Sequence, residues 1–184
     1  MQSESSTVFT DTAADGIKTL YKTEANKRSE AVSDVSYRLA YALLRGGEQF
    51  HGYIEVKFSL SDASATSDDI FLDYRGKELQ SLVINGQAVT TGTPFHDHRI
   101  YLPKEHLQAG VNNVSVRFVS AYVKDCAGVQ YFKDKDDGEE YLYSDHEPAS
   151  AHKGFPCFDQ PDMKATYAFL ALAPKEWSVF ANAP

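Results

Sequence analysis

From Asp34 to Pro174 apolar and polar residues largely alternate, the period of strands with one face buried and one in water. DVSYRLAYALLR places Val35, Tyr37, Leu39, Tyr41 and Leu43 on one face and predicts a long strand. Gly46-Gly47 supplies the positive-φ freedom of a tight hairpin, and FHGYIEVKFSL returns antiparallel, with Tyr53 or its neighbours alternating toward Phe58 and Leu60. SDASATSDD reads as a polar loop. IFLDYR and LQSLVI follow as strands, and Asn85-Gly86 is the strongest short-range turn signal of the chain. RIYLP leads into a single helical turn bracketed by Pro103 and Gly110. VNNVSVRFVSAYV alternates Val114, Val116 and Phe118, then Tyr122 after a register slip at Ala121. VQYF and YLYS flank the charged tip KDKDDGEE as a further hairpin, and ATYAFLALAP is the last strand signal. About eight closely spaced strands predict an all-β fold, an antiparallel two-sheet sandwich or saddle-like domain. No repeat or linker divides it.

Ahead of this pattern, residues 1–22 are rich in Ser, Thr, Asp and Ala without apolar period and read as a flexible N-terminal arm. Residues 23–184 then form the β-domain. TEANKRSEAVSDV predicts one short surface helix with Thr23 as its N-cap. A hydrophobic fraction of 42% with 11 Tyr and 11 Phe describes a folded core rather than a disordered tail. The net charge of -8 argues against nucleic acid, whose affinity rests on clustered Lys and Arg. The opening residues lack a basic and an apolar region, and no run of about 18 apolar residues occurs, so no membrane span and a cytoplasmic setting are expected. Cys126 and Cys157 are expected there as free, mostly buried thiols.

Metal chemistry would need ligands at a workable spacing. His146-Glu147 is followed by His152 at i+6, which turns the two rings about 240° apart on a helix, and Pro148 would break that helix. His96 and His98 would share one face of a strand, but no third ligand is evident. Neither GxSxG, a P-loop, GxGxxG nor CxxC occurs. The sequence therefore predicts no catalytic residue and no metal ligand in this chain.

The stretch Glu140 to Pro161, EYLYSDHEPASAHKGFPCFDQP, carries most information. If its strand continued through Asp145 and Glu147, the two carboxylates would share a face about 7 Å apart, a pair that sits in water or waits for a cation. Together with the following residues, YLYSDHEPASAHKGFPCFDQPDMKATY resembles the signature of the aminopeptidase N family of zinc peptidases, where YxxTQ-x-E-P and FPCFDEP-x-x-KA close the first domain. The Asn85-Gly86 turn and the GVQYF stretch before the acidic hairpin fit the same resemblance.

The resemblance implies the amino-terminal, non-catalytic β-domain of a peptidase that removes N-terminal residues from peptides. Zinc, held by HExxH and a later Glu, would belong to the catalytic domain into which family members run beyond WSVFANAP, and that domain would be the partner of this one. The glutamate matching Glu147 helps bind the free α-amino group of the substrate. The position matching Asp145 is usually Gln and lines the pocket for the first side chain, so Ser144-Asp145 in place of Thr-Gln alters pocket polarity. Phe155 to Asp159 read as scaffold, and His152 stands where Arg or Lys is common. The alternatives are a stand-alone β-sandwich binding module, betrayed by an exposed aromatic platform, and a scaffold without peptidase activity. A broad apolar patch near Glu147 would instead mark the place of a catalytic domain.

Overall fold

The computed structural model describes residues 7–11, 19–61 and 70–182. Most of the expected arm and of the polar loop before Ile70 lie outside the described residues.

The described residues build twelve strands and one α-helix. The strands are β1 (Phe9–Thr10), β2 (Val32–Ala42), β3 (Gln49–Leu60), β4 (Ile70–Asp73), β5 (Glu78–Ile84), β6 (Gln87–Ala88), β7 (Phe95–His96), β8 (Arg99–Leu102), β9 (Gly110–Ala121), β10 (Gly128–Lys133), β11 (Glu140–Asp145) and β12 (Ala165–Leu172); helix α1 spans Lys22–Ala31. A seven-stranded sheet runs β1-β5-β9-β3-β2-β12, with β6 paired to β5 off that path. A three-stranded sheet runs β4-β8-β7, and β10 with β11 forms a separate ribbon.

The two larger sheets contribute to one apolar cluster, and the fold is the all-β sandwich the alternation predicts. In β2, Val35, Tyr37, Leu39 and Tyr41 are buried together. In β3 the buried set is Phe50, Gly52, Ile54, Val56, Phe58 and Leu60, so Tyr53 lies on the other face, where its hydroxyl donates to Glu55 Oε1 at 2.9 Å. Gly52 is required by packing: a Cβ there would stand 2.1 Å from Cζ of Phe118 in β9. Asn85 and Gly86 both take positive φ, 50° and 80°, and join β5 to β6 as expected of a tight hairpin.

Several local expectations are corrected. The β2–β3 connection is six residues, Leu43 to Glu48, rather than a tight Gly46-Gly47 hairpin. The β5–β9 pairing shifts at Leu79/Ser81, and β9 runs through Ala121 without the expected slip. β2 starts at Val32 and accommodates Asp34 at φ 53° where its pairing with β3 shifts. α1 starts at Lys22 because the Glu24 carboxylate accepts the Tyr21 N–H at 3.1 Å, which makes Tyr21 rather than Thr23 the cap. It is not a plain surface helix either, since Arg28 is 3% exposed. Within the expected arm, Phe9 and Thr10 pair with Leu79 and Glu78. Finally, β12 pairs with β2 in parallel, a departure from the expected antiparallel order.

β12 is an edge of the large sheet and is apolar on both faces. Tyr167 stacks on Tyr37 at 4.8 Å and Phe169 meets Tyr41 at 5.3 Å, so these two extend the core side. Even so, Tyr167, Phe169, Leu170 and Leu172 are between 47% and 60% exposed, and Phe180 beyond them is 91% exposed. Among the described residues the core is open along this edge.

Candidate functional site

Strand β11 ends at Asp145, and a turn carries the chain through Glu147 and a cis Pro148 to the short 3-10 turn Ala151–Lys153. The strand does not continue through Glu147, so the condition for two carboxylates on one strand face is not met. Instead Asp145 Oδ1 accepts the Glu147 backbone N–H at 3.1 Å, folding the loop tightly at that point. Both side chains are exposed. The Glu147 carboxylate has no hydrogen bond or ion pair among the described residues.

Behind this exposed tip the loop is fastened. The His146 ring is packed edge-on against Phe155, with centroids 5.7 Å apart, and Phe155 in turn meets Tyr167 of β12 at 6.2 Å. Burial lowers the pKa of His146, although nearby Asp159 opposes that. His152 Nδ1 lies 2.6 Å from Asp159 Oδ2, which also accepts the His152 backbone N–H at 3.2 Å. Burial pushes Asp159 upward, but the hydrogen bonds from His152 outweigh it and leave this carboxyl below the usual range. The His152 carbonyl accepts the Arg75 N–H, and Lys153 Nζ reaches Asp125 Oδ2 at 2.9 Å.

The stretch Phe155 to Gln160 lies inside the protein. Phe155, Cys157 and Phe158 belong to the core. Cys157 and Asp73 of β4 exchange both backbone hydrogen bonds, at 2.7 and 3.1 Å, and the Phe158 N–H donates to the Tyr37 hydroxyl at 3.0 Å. Gln160 bridges α1 by accepting from Arg28 Nε at 3.1 Å and donating to the Ala25 carbonyl at 2.9 Å.

Sequence reasoning did not single out Arg28 or Asp73, yet they hold this knot together. Arg28 Nη1 donates to Asp73 Oδ2 at 2.8 Å, and the same oxygen accepts the Asp159 N–H at 3.2 Å. Burial raises the pKa of Asp73 and Arg28 works against that rise. The guanidinium also lies 4.6 Å from the Phe71 ring, whose centroid is 4.0 Å from Cζ of Arg99. A buried Arg on an otherwise polar helix was the only available signal, and nothing local distinguishes it from Lys27 or Lys22.

The other candidates separate. His96 ends β7, while His98 sits in the turn to β8 at φ 59°, so they do not share a strand face. The His96 ring stacks on Tyr101 at 4.4 Å, and the His98 N–H donates to Asp11 at 3.1 Å. Cys126 and Cys157 are free; Cys157 is buried, but Cys126 is exposed, contrary to expectation. Among the described residues no group of three or more His, Cys, Asp or Glu could hold a metal ion. The two histidines of that stretch are engaged separately, His152 Nδ1 with Asp159 and the His146 ring against Phe155. Among the same residues no helix is long and apolar enough to cross a membrane.

Comparison with known proteins gives a consistent picture. Residues 33–184 match the profile of the Peptidase M1 N-terminal domain. Aminopeptidase N of Streptomyces lividans is 32% identical over 167 residues, covering 90% of this chain but 19% of that protein. Glutamyl aminopeptidase of Rattus norvegicus is 26% identical, over 83% of this chain and 17% of the relative. Among solved structures, native leukotriene A4 hydrolase of Saccharomyces cerevisiae superposes with a TM-score of 0.62 at 19% identity, over 79% of this chain and 24% of that one. That likeness speaks for the fold.

Proposed function

Because the chain belongs to the family of peptidase M1 N-terminal domains, we propose that it is the non-catalytic amino-terminal domain of a zinc aminopeptidase and that Glu147 binds the free α-amino group of the peptide substrate. The observation that carries this reading is an exposed Glu147 carboxylate, unpaired among the described residues, on a loop whose neighbouring His146 is fastened toward the exposed apolar edge of β12. His146, Phe155 and Tyr167 link the two through ring contacts. A carboxylate beside an apolar face becomes a strong cation site once a second domain covers that face and excludes water.

The partner of the β12 face is then the catalytic domain of the same protein, consistent with a chain spanning 19% and 17% of two relatives' lengths. Zinc bound in that domain supplies the activated water for hydrolysis. This chain contributes the ammonium site, with Asp145 bordering the pocket of the first side chain. The unpaired thiols of Cys126 and Cys157 support a cytoplasmic setting.

Phe132, Tyr141 and Tyr143 are exposed on the β10–β11 ribbon, the platform a stand-alone binding module would use. The readings part in the whole protein. Glu147→Ala should lower kcat/KM for an aminoacyl substrate by about 30- to 1000-fold, the worth of about 2–4 kcal/mol of charge-assisted hydrogen bonding, with zinc retained. A variant within about threefold of the parent, or a whole protein lacking HExxH, would favour the binding module.

A further inference from the structure

The β10–β11 ribbon has two unlike faces. Residues directly opposed across it share a face, so Phe132 lies with Tyr141, Gln130 with Tyr143 and Gly128 with Asp145. The alternate set is turned to the body of the domain: Tyr131 meets Tyr122 at 5.9 Å, and Glu140 accepts the Gly46 N–H at 2.9 Å. On the first face Phe132, Tyr141 and Tyr143 are each about half exposed. The Phe132–Tyr141 ring contact, at 6.5 Å, accounts for two of them as a cross-strand pair. Tyr143 stands opposite the buried Gln130 and, among the described residues, makes no ring contact and no side-chain hydrogen bond.

Charge decides what such a face could take. From Phe132 to Glu147 the chain carries seven carboxylates and two lysines, a net charge of -5 within the -8 of the whole chain. Asp137 at the tip accepts from the Tyr141 hydroxyl at 3.4 Å, and Asp145 closes the same face at the other end. Of the nearby cations, Lys133 lies on the opposite face, across from Glu140, Lys135 belongs to the tip, and Arg45 stands 3.9 Å from Glu139. The charge of Asp137 foremost, with Asp134 and Glu139 adding to it, raises the Tyr141 pKa, which reports a negative potential at this exposed phenol. An acidic tip alone is a solvated turn. Aromatic rings set between carboxylates instead match a guanidinium, which stacks on the one and pairs with the other.

We propose that this face of the ribbon is a docking site for an extended, arginine-bearing peptide segment, whose guanidinium groups lie over Tyr141 and Tyr143 and pair with Asp137 and Asp145. Tyr141, Tyr143 and Asp145 follow one another at about 7 Å, the step of alternate residues in an extended peptide. A segment with arginine at every second position therefore meets the face in register. The proposal goes beyond the reading of Glu147 and holds whether or not Glu147 receives a substrate ammonium.

The test is a proton–nitrogen NMR titration of the 184-residue chain at low salt with a blocked hexapeptide, acetyl-Arg-Ser-Arg-Ser-Arg-Ser-amide, and with its counterpart bearing glutamate in place of arginine. Acetylation removes the α-ammonium, so the result is separate from that for Glu147, which is read as kcat/KM in Glu147→Ala. The arginine peptide should shift the amides of Phe132, Tyr141, Tyr143 and Asp145 with one midpoint, and the glutamate peptide should shift none. Because the Tyr143 ring supports no contact of the fold, Tyr143→Ser should fold normally yet bind about two- to fivefold more weakly, while Tyr143→Phe keeps the affinity. Glu30→Gln, which removes a charge from exposed α1, should leave it unchanged. No binding, an affinity unchanged in Tyr143→Ser, or one lowered as much by Glu30→Gln overturns the proposal, the last two because they reveal only diffuse attraction to an acidic protein. A dimer in sedimentation that Tyr143→Ser dissolves would give the face to a second copy, and a Tyr143 amide that no longer answers the peptide in the whole protein would give it to another domain; either result overturns the proposal as well.

Discussion

Two neighbouring pieces of the chain meet opposite fates. Phe155 to Gln160 is enclosed by α1, β2 and β4, and its backbone and side chains bond to Arg28, Asp73 and Tyr37. In Asp145 to Pro148, a few residues earlier, Asp145, Glu147 and Pro148 are exposed, and Asp145 folds the loop by accepting the Glu147 N–H. The more distinctive motif is therefore packed inside, and the plainer one offers the free carboxylate. A long signature of bulky and charged residues marks where packing is demanding; a free carboxylate marks where something has yet to bind.

The largest expected effect lies on the buried side. Arg28→Ala removes one partner of an enclosed ion pair and leaves Asp73 uncompensated, which should cost about 3–5 kcal/mol in urea unfolding of the chain. A loss below about 1 kcal/mol, the range of surface pairs, would show that the knot is solvated and the contrast between the two pieces is false.

Next comes the open edge. Phe169 is 47% exposed in this chain, so Phe169→Ala should cost about 1 kcal/mol in the isolated chain but about 3 kcal/mol in the whole protein if, as proposed, a catalytic domain covers this edge. Equal losses in both would mean that β12 stays uncovered.

A smaller effect concerns acid. Asp159 is held below its unfolded pKa, so the stability it contributes is present above the ordinary aspartate range and is lost as pH falls through its lowered value. Unfolding midpoints of the parent should therefore drop more steeply below about pH 4 than those of Asp159→Asn. Parallel curves would detach His152 from Asp159.

The smallest effect is at Asp145. Asp145→Asn should lower kcat/KM for an Arg substrate relative to a Leu substrate by at most about 1 kcal/mol, the difference shrinking as salt rises. Because Asp145 Oδ1 already bonds the Glu147 N–H, Asn can keep that turn while losing the charge. An unchanged ratio at low salt would confine Asp145 to shaping the loop.

What could be read from the sequence follows the range of the forces involved. The alternation in β2 and β9 and the Asn85-Gly86 turn are local, decided by two-residue periods and by φ, and they were legible. The Arg28–Asp73 and Arg28–Gln160 bonds join residues 45 and 132 positions apart, and no local period reports them. The parallel pairing of β12 was hidden for the same reason, since ATYAFLAL reads identically in either direction of pairing. At the site, strand spacing pointed to Asp145 and Glu147 as a pair, and only the family signature suggested a role for Glu147. Its neighbour's role in folding the loop was missed because a continuing strand and a tight turn begin with the same residues.

The most direct measurement compares, in the whole enzyme, a substrate bearing the free α-amino group with its analogue lacking that amine. The parent should prefer the amine strongly in kcat/KM, and Glu147→Ala should erase about 30- to 1000-fold of that preference while the amine-free analogue reacts at nearly the parental rate. A preference that survives in Glu147→Ala would place the ammonium site on some other group.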